Sequence, residues 1–301
     1  MTDTPLDRRA LGRTLTELAN ASSAQLARRP LRQPVTHPAR RIGVTGAPGA
    51  GKSTLLGHLA VLRAERGRLG VLAVDPSSPH SGGAILGDRI RMDELPGAAD
   101  LYIRSLGSRK TTDGLADNLP DMLDAMDDFG FAEVLLETVG VGQAEHAART
   151  QVDTLVLVLL PESGDIVQAM KAGIMEMADL FVVGKSDLPG AHRMATDIRR
   201  IAAITRRERG AWVPPVLLVS VSQPASIDAL SGAIDDHQAW LSRGDRASTL
   251  HEQRARYRLR RLLERRVAEI VETRDAGFLE MPLHEQLETT LALLRQQGGR
   301  S

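Results

Sequence analysis

Seven apolar runs recur through the middle of the chain: RIGVTG, LGVLAVD, LYIRSL, AEVLLET, TLVLVLL, LFVVGK and VLLVSVS. Most are rich in Val and Leu and lack polar alternation, as expected of strands covered on both faces. Among them lie GDIVQAMKAGIMEMA and AHRMATDIRRIAAI, whose apolar spacing is helical. Such alternation predicts an α/β fold built on a doubly wound, mostly parallel sheet. Before the first run, Leu11, Leu15, Leu18 and Leu26 give the stretch from Leu6 to Arg29 a patchy helical stripe. The prolines of RRPLRQPVTHP then mark a linker ending near Pro38. After Trp240 the pattern is helical without strands: LHEQRARYRLRRLLERRVAEIVETR, then PLHEQLETTLALLRQQ. The expected division is 1–39 as a helical extension and linker, 40–242 as the sheet domain, and 243–301 as a helical arm. Helices this long need an apolar surface to pack on, and dimerisation would supply one.

Charge changes this picture little. Lys plus Arg and Asp plus Glu stand at 38 each, so net charge gives no case for a nucleic-acid or membrane partner. Seven arginines crowd between Arg254 and Arg266, but Glu252, Glu264 and Glu269 interleave with them. A solvated or subunit-facing helix face accounts for that better than nucleic-acid binding does. Aromatics are 3%, too few for base-stacking platforms. Cysteine is absent, which excludes disulfides and thiolate metal sites. No apolar run approaches the ~18 residues of a membrane span, and MTDTPLDRRALGRTL has no apolar signal region. The expected location is cytoplasmic.

The chemistry begins at GAPGAGKS, Gly46 to Ser53, which satisfies G-x-x-x-x-G-K-[ST]. Four fixed positions match by chance in about one chain in a hundred of this size. Here a strand-like run precedes the motif and an amphipathic helix, KSTLLGHLAVLRAE, follows it. This is the P-loop of a nucleoside triphosphate site, and its context makes the fold a P-loop NTPase core. Residues Gly46, Ala47, Pro48, Gly49, Ala50, Gly51, Lys52, Ser53 and Thr54 are its expected contacts. The glycines let backbone N–H groups from about Gly49 to Ser53 turn inward on phosphate. The helix start adds its positive end. Lys52 would bridge the β- and γ-phosphates, and Ser53 would offer a hydroxyl to Mg²⁺.

Acidic residues at strand ends are the candidate metal shell. Glu137 closes EVLLE, and Gly140 follows at the spacing used to sense a γ-phosphate. Asp75 ends VLAVD, on the sheet edge where ligands sit, although capping the DPSS turn is a competing role. Asp88, in GGAILGDRIRM, is weaker on its own spacing.

LFVVGKSDLPG carries a base-reading pattern with one member replaced. GTP-binding proteins place Asn-Lys-x-Asp after such a strand, and here Gly184 stands at the Asn position. Asp187 would accept from guanine N1–H and N2–H₂, which adenine cannot offer. Lys185 would lay its methylene stem over the base. Ser220, Val221 and Ser222 would supply a backbone N–H to guanine O6. Loss of the Asn contact predicts GTP preferred over ATP, about ten-fold weaker than with an intact loop.

GAPGAGKST, VDPSSPHSGGAILGDRIRM, ETVGVGQAE and the GKSD loop together resemble the methylmalonyl-CoA-mutase-associated GTPases, the MeaB/ArgK group, over roughly residues 6–297. The resemblance implies a homodimeric, Mg²⁺-dependent GTPase binding GTP and GDP, held together partly by its C-terminal helices. It also implies a partner, an adenosylcobalamin-dependent acyl-CoA mutase whose cofactor loading or protection the GTPase gates. By the same analogy Asp75, Asp88 and Glu137 lie around magnesium or in switch segments. Catalysis would rest on Lys52 and Mg²⁺, with either Glu137 or the segment near Gln143 positioning water. LPESGD, Leu160 to Asp165, departs from the group's glycine-richer turn. The alternative is a nucleotide-binding switch or scaffold with little hydrolysis, motivated by Gly184. A nickel-insertion GTPase is disfavoured by zero Cys and eight scattered His. A transport-linked kinase ranks last, because no acceptor site is visible.

Overall fold

All seven Val- and Leu-rich runs become strands: β1 Arg40–Gly46, β2 Leu69–Pro76, β3 Leu101–Ser108, β4 Glu133–Glu137, β5 Thr154–Leu159, β6 Leu180–Val183 and β7 Val216–Leu218. A computed structural model of the chain describes residues 5–30, 32, 35–76, 100–108, 118–138, 143–161, 173–204, 211–243 and 246–298. Some side chains at element ends, those of Asp75 and Gln143 among them, lie outside that description. The strands form one parallel sheet in the order β3-β2-β4-β1-β5-β6-β7. The chain leaves β1 toward one edge for β2 to β4 and then crosses to the other for β5 to β7. That reversal puts the ligand crevice of an open α/β sheet at the C-terminal end of β1.

Apolar residues on both strand faces explain the covering helices. Leu55, Leu56 and Leu59 of α3 (Lys52–Ala64) and Ile227, Leu230 and Ile234 of α7 (Pro224–Leu241) close one face over Ile42, Val44 and Val156. On the other face lie α1 (Arg8–Asn20), α4 (Leu119–Asp128) and α5 (Gln143–Gln151), with Leu11, Leu15, Met122 and Ala148 in the core. α6 (Ala191–Ile204) extends that layer over β5 and β6. The N-terminal stripe is broken: α1 stops at Asn20, and Ser22 opens α2 (Ser23–Ala27) with a capping box to Gln25. Of GDIVQAMKAGIMEMA, residues 164–172 lie outside the described residues, and Ile174–Glu176 is a short 3₁₀ turn.

One buried cation fixes the helix that begins at the phosphate loop. Arg63 of α3 is 1% exposed and bonds Glu133 through two oxygens at 2.6 and 2.7 Å, Ser231 Oγ at 2.8 Å and Asp235 at 2.8 Å. It thereby staples α3 to β4 and α7. A fully partnered buried guanidinium is costly to break, about 3–5 kcal/mol when one partner is removed.

The C-terminal arm comprises α8 (Arg246–Glu272), α9 (Ala276–Glu280) and α10 (Leu283–Gly298). Its arginines divide: Arg256 and Arg260 stay exposed beside Glu252 and Glu264, as a solvated face requires, whereas three others turn inward and depart from that expectation. Arg254 meets Asp153 at 2.7 Å, Arg258 meets Asp121 at 2.5 Å and Asp124 at 2.9 Å, and Arg265 donates to Asn118 at 2.5 Å and to the Ala21 carbonyl at 2.9 Å. Helical spacing gathers these arginines on one side, and aspartates on α4 and before β5 answer them. The outward side of α8 also carries apolar residues: Leu259, Leu263, Val267 and Val271 are exposed, as are Leu283, Leu287 and Leu291 of α10. Among the described residues, no helix is long and apolar enough to cross a membrane.

Candidate functional site

The phosphate loop begins where β1 can go no further as a strand. Gly46 has φ 143°, and a Cβ there would stand 2.1 Å from the Val158 carbonyl oxygen of neighbouring β5. Only glycine fits so close a crossing. Gly49 and Gly51 take φ 79° and 81°, and Gly51 is the residue from which α3 starts. These left-handed positions wrap the backbone over the N-terminus of α3, where the first-turn N–H groups and the helix dipole suit an anion. Lys52 is buried and donates from Nζ to the Ala47 carbonyl at 3.0 Å, arching over the loop.

Glu137 closes β4 beside β1, with Val44 opposite it in register. Its residue parity directs it to the α3 face, and Ser53 Oγ donates to its Oε1 at 2.6 Å. The carboxylate is 8% exposed. The two oxygens expected at a metal shell therefore stand together under the loop. Asp75 sits two residues beyond the Ala73–Glu137 pair, opposite Gly107, so its backbone ends β2 on the same edge. Gln143 begins α5. Asp88, Gly140 and residues 162–165 of LPESGD lie outside the described residues.

The base loop leaves β6 on this edge too. Gly184 is buried, its N–H bonded to the Leu159 carbonyl at 2.9 Å. Lys185 follows at φ 49°, the one non-glycine residue with positive φ among those described. Its Cε lies 3.9 Å from where a Cβ on Gly51 would be, so the lysine stem runs along the phosphate loop. Asp187 is exposed, and Ser220 Oγ donates to its Oδ1 at 2.5 Å. That hydrogen bond, followed by the residue's own N–H, holds the Asp187 carboxyl below the ordinary carboxylate range. Ser222 Oγ lies 2.8 Å from Ser220 Oγ, and Ser226 in the first turn of α7 binds both the N–H and the carbonyl of Ser220. Val221 is exposed between the serines.

Sequence reasoning assigned residues 220–222 only a backbone role and missed the Ser220 hydroxyl. The alternating serines of VSVSQPAS were the one available signal. The contact between Gly184 and the phosphate loop left no signal in the sequence. Chemically, the edge offers amides and an ammonium for a polyphosphate, hard oxygens for a dication, and an ionised carboxylate for paired N–H donors.

The family model described as Methylmalonyl Co-A mutase-associated GTPase MeaB matches residues 9–276. A putative GTPase of Pyrococcus abyssi is 39% identical over 280 residues, covering 91% of this chain and 83% of that protein. GTPase ArgK of Escherichia coli is 36% identical over 233 residues, 75% of this chain and 70% of that one. The methylmalonic aciduria type A homolog, mitochondrial, of Mus musculus is 34% identical over 250 residues, 82% of this chain and 60% of its own length. Among solved structures, one titled LAO/AO transport system kinase superposes with TM-score 0.64 at 24% identity, covering 97% of this chain and all of that one, and so shares the fold.

Proposed function

The chain belongs to the family of methylmalonyl-CoA mutase-associated GTPases, MeaB, and is a GTPase; from that premise we propose that it is Mg²⁺-dependent, homodimeric, and gates cofactor loading or protection of an adenosylcobalamin-dependent acyl-CoA mutase. The observation that carries the nucleotide reading is the pairing of the phosphate loop with Asp187 on one sheet edge. Asp187 is ionised, as a reader of guanine N1–H and N2–H₂ must be, and the Ser220 hydroxyl extends that ionisation further into acid. The Val221 amide is the candidate donor to O6.

Ser53 and Glu137 present hydroxyl and carboxylate oxygens side by side, a donor set that fits a hard dication. With Asp75 and Asp88, assigned by family resemblance, they would hold Mg²⁺, which supplies charge neutralisation on the β- and γ-phosphate oxygens when bound. Lys52 gives up the Ala47 carbonyl for those same oxygens and carries part of the charge that develops between them. Amides of Gly49 to Ser53 fix the phosphates in line. Glu137 is committed to Ser53, so in this reading it serves the metal shell. Water positioning then falls to the segment that Gln143 begins. Gly140, at its spacing from Glu137, is the proposed γ-phosphate sensor.

The partner reading is supported by the family description, which names association with methylmalonyl-CoA mutase. The dimer reading is supported by the exposed apolar residues of α8 and α10 on the side away from the core. In this division residues 1–39 brace the sheet domain of 40–242, and 243–301 form the dimerisation arm. GTP turnover measured with and without a purified adenosylcobalamin-dependent acyl-CoA mutase tests the role. Methylmalonyl-, isobutyryl- and ethylmalonyl-CoA enzymes would be tried in turn. Stimulated turnover and co-elution with one of them is expected; neither effect with any of them would overturn it.

A further inference from the structure

We propose that Gly184 is a specificity-loop residue kept small to back the phosphate cradle, so that the asparagine usual at this position would weaken nucleotide binding here. The proposal rests on the nucleotide site proposed above and goes beyond it. A Cβ built on Gly184 would stand 3.3 Å from the Ala50 carbonyl oxygen, 3.3 Å from Val158 Cγ1 and 3.7 Å from the Leu159 carbonyl oxygen. Of these, the Ala50 oxygen is backbone and nearer than an ordinary Cβ contact, so it can yield only by rotation of its peptide plane, whereas the Leu159 oxygen is at ordinary contact distance. The base loop cannot easily retreat either. Gly184 N–H is bonded to Leu159 O at 2.9 Å, and Ser186 N–H to Val219 O at 3.2 Å, which pins the loop to strands on both sides.

The position is small for reasons of space. Its backbone is not in the left-handed region, unlike that of Lys185 beside it. A substitution at 184 therefore tests packing without adding backbone strain.

What the glycine touches gives the contact its consequence. The Ala50 carbonyl and the Gly51 N–H belong to one planar trans peptide, so they point in opposite directions. With the oxygen on the Gly184 side, the N–H lies on the opposite side of the peptide, where the proposal seats phosphate. Ala50 sits between two left-handed glycines, Gly49 at 79° and Gly51 at 81°, where small torques rotate a peptide plane readily. A side chain at 184 would press on the oxygen and tilt the amide that faces phosphate. The first carbon of an asparagine would meet the carbonyl before its amide could bond to it. The penalty falls on the phosphate end, so it is shared by guanine and adenine nucleotides alike.

Calorimetric titration of GDP and ADP into wild type, Gly184→Ala, Gly184→Asn and Asp187→Ala separates these claims. Gly184→Ala should bind GDP about three-fold more weakly and Gly184→Asn about ten-fold or more, as overpacking of a tight site predicts. In both, the GDP-to-ADP affinity ratio should stay within about two-fold of wild type, whereas Asp187→Ala should collapse that ratio. Gly184→Asn binding GDP as tightly as wild type, or more tightly, would overturn the proposal. Should Gly184→Asn not fold, Gly184→Ala decides on the same criterion. Wild type without preference for GDP over ADP would instead refute the base-site reading, and the weakening at 184 would still report on the cradle.

Discussion

The two ends of the proposed nucleotide site are built on different principles. At the phosphate end, recognition is mostly backbone: left-handed glycines at 49 and 51, a glycine at 46 forced by the Val158 carbonyl, and the start of α3. At the proposed base end it would be one exposed side chain, Asp187, held by a hydroxyl from a loop 33 residues further along. Backbone geometry demands particular residue types at fixed spacings, so the phosphate end is written plainly in GAPGAGKS. A side-chain reader needs only a carboxylate in place and neighbours that orient it, and those neighbours vary. Gly184 stands where the two ends meet, following strand β6 on the base side yet lying against the Ala50 carbonyl of the phosphate loop.

Substitutions at the two ends should therefore differ in kind, and the size of the loss should follow that order. Lys52→Ala removes the charge that meets the β- and γ-oxygens and should lower GTP turnover at least about 100-fold in a phosphate-release assay. Retained turnover would detach the chemistry from this loop. Glu137→Ala leaves Ser53 without its acceptor and should raise the Mg²⁺ concentration for half-maximal turnover by about ten-fold or more, with GDP affinity in the absence of metal little changed. At the base end, Asp187→Ala should cut GDP affinity by about ten- to a hundred-fold and leave ADP affinity nearly untouched. Equal losses for both nucleotides would erase the contrast between the ends.

The smallest effect belongs to Ser220→Ala, about three-fold in GDP affinity, and it is best read by pH. The Ser220 hydrogen bond and the residue's own N–H lower the Asp187 pKa. A lowered carboxyl stays ionised further into acid, so guanine preference should persist as pH falls to the ordinary Asp value of about 4 and be lost only below it. Without the hydroxyl, the loss should move up toward that ordinary value. An unchanged pH profile in Ser220→Ala would remove Ser220 from the base site.

Sheet and phosphate loop were legible because each is encoded locally. Seven apolar runs gave seven strands, and the two strand-end acids Asp75 and Glu137 fall on the ligand edge that the doubly wound pattern implies. The arm was read less well, and for a physical reason. Arg254, Arg258 and Arg265 look like a solvated stripe until α4 is folded beneath them. The partners of Arg258, Asp121 and Asp124, lie 134 to 137 residues away from it in the chain. Arginines on the inward face and apolar residues among the outward ones depart from the usual helix pattern, and periodicity alone cannot tell which side meets the core. The Gly184 contact was illegible for a similar reason: a residue without a side chain announces neither what it touches nor why it must stay small.

The central claim is that Asp187 reads the purine of a nucleotide seated on the phosphate loop. Guanine presents two N–H donors to that position, whereas xanthine presents one donor and one acceptor, which suits an amide. Affinities of wild type and Asp187→Asn for GDP and xanthosine diphosphate test this directly. The account predicts that wild type favours GDP and that Asp187→Asn favours xanthosine diphosphate. The same ranking in both proteins would contradict it.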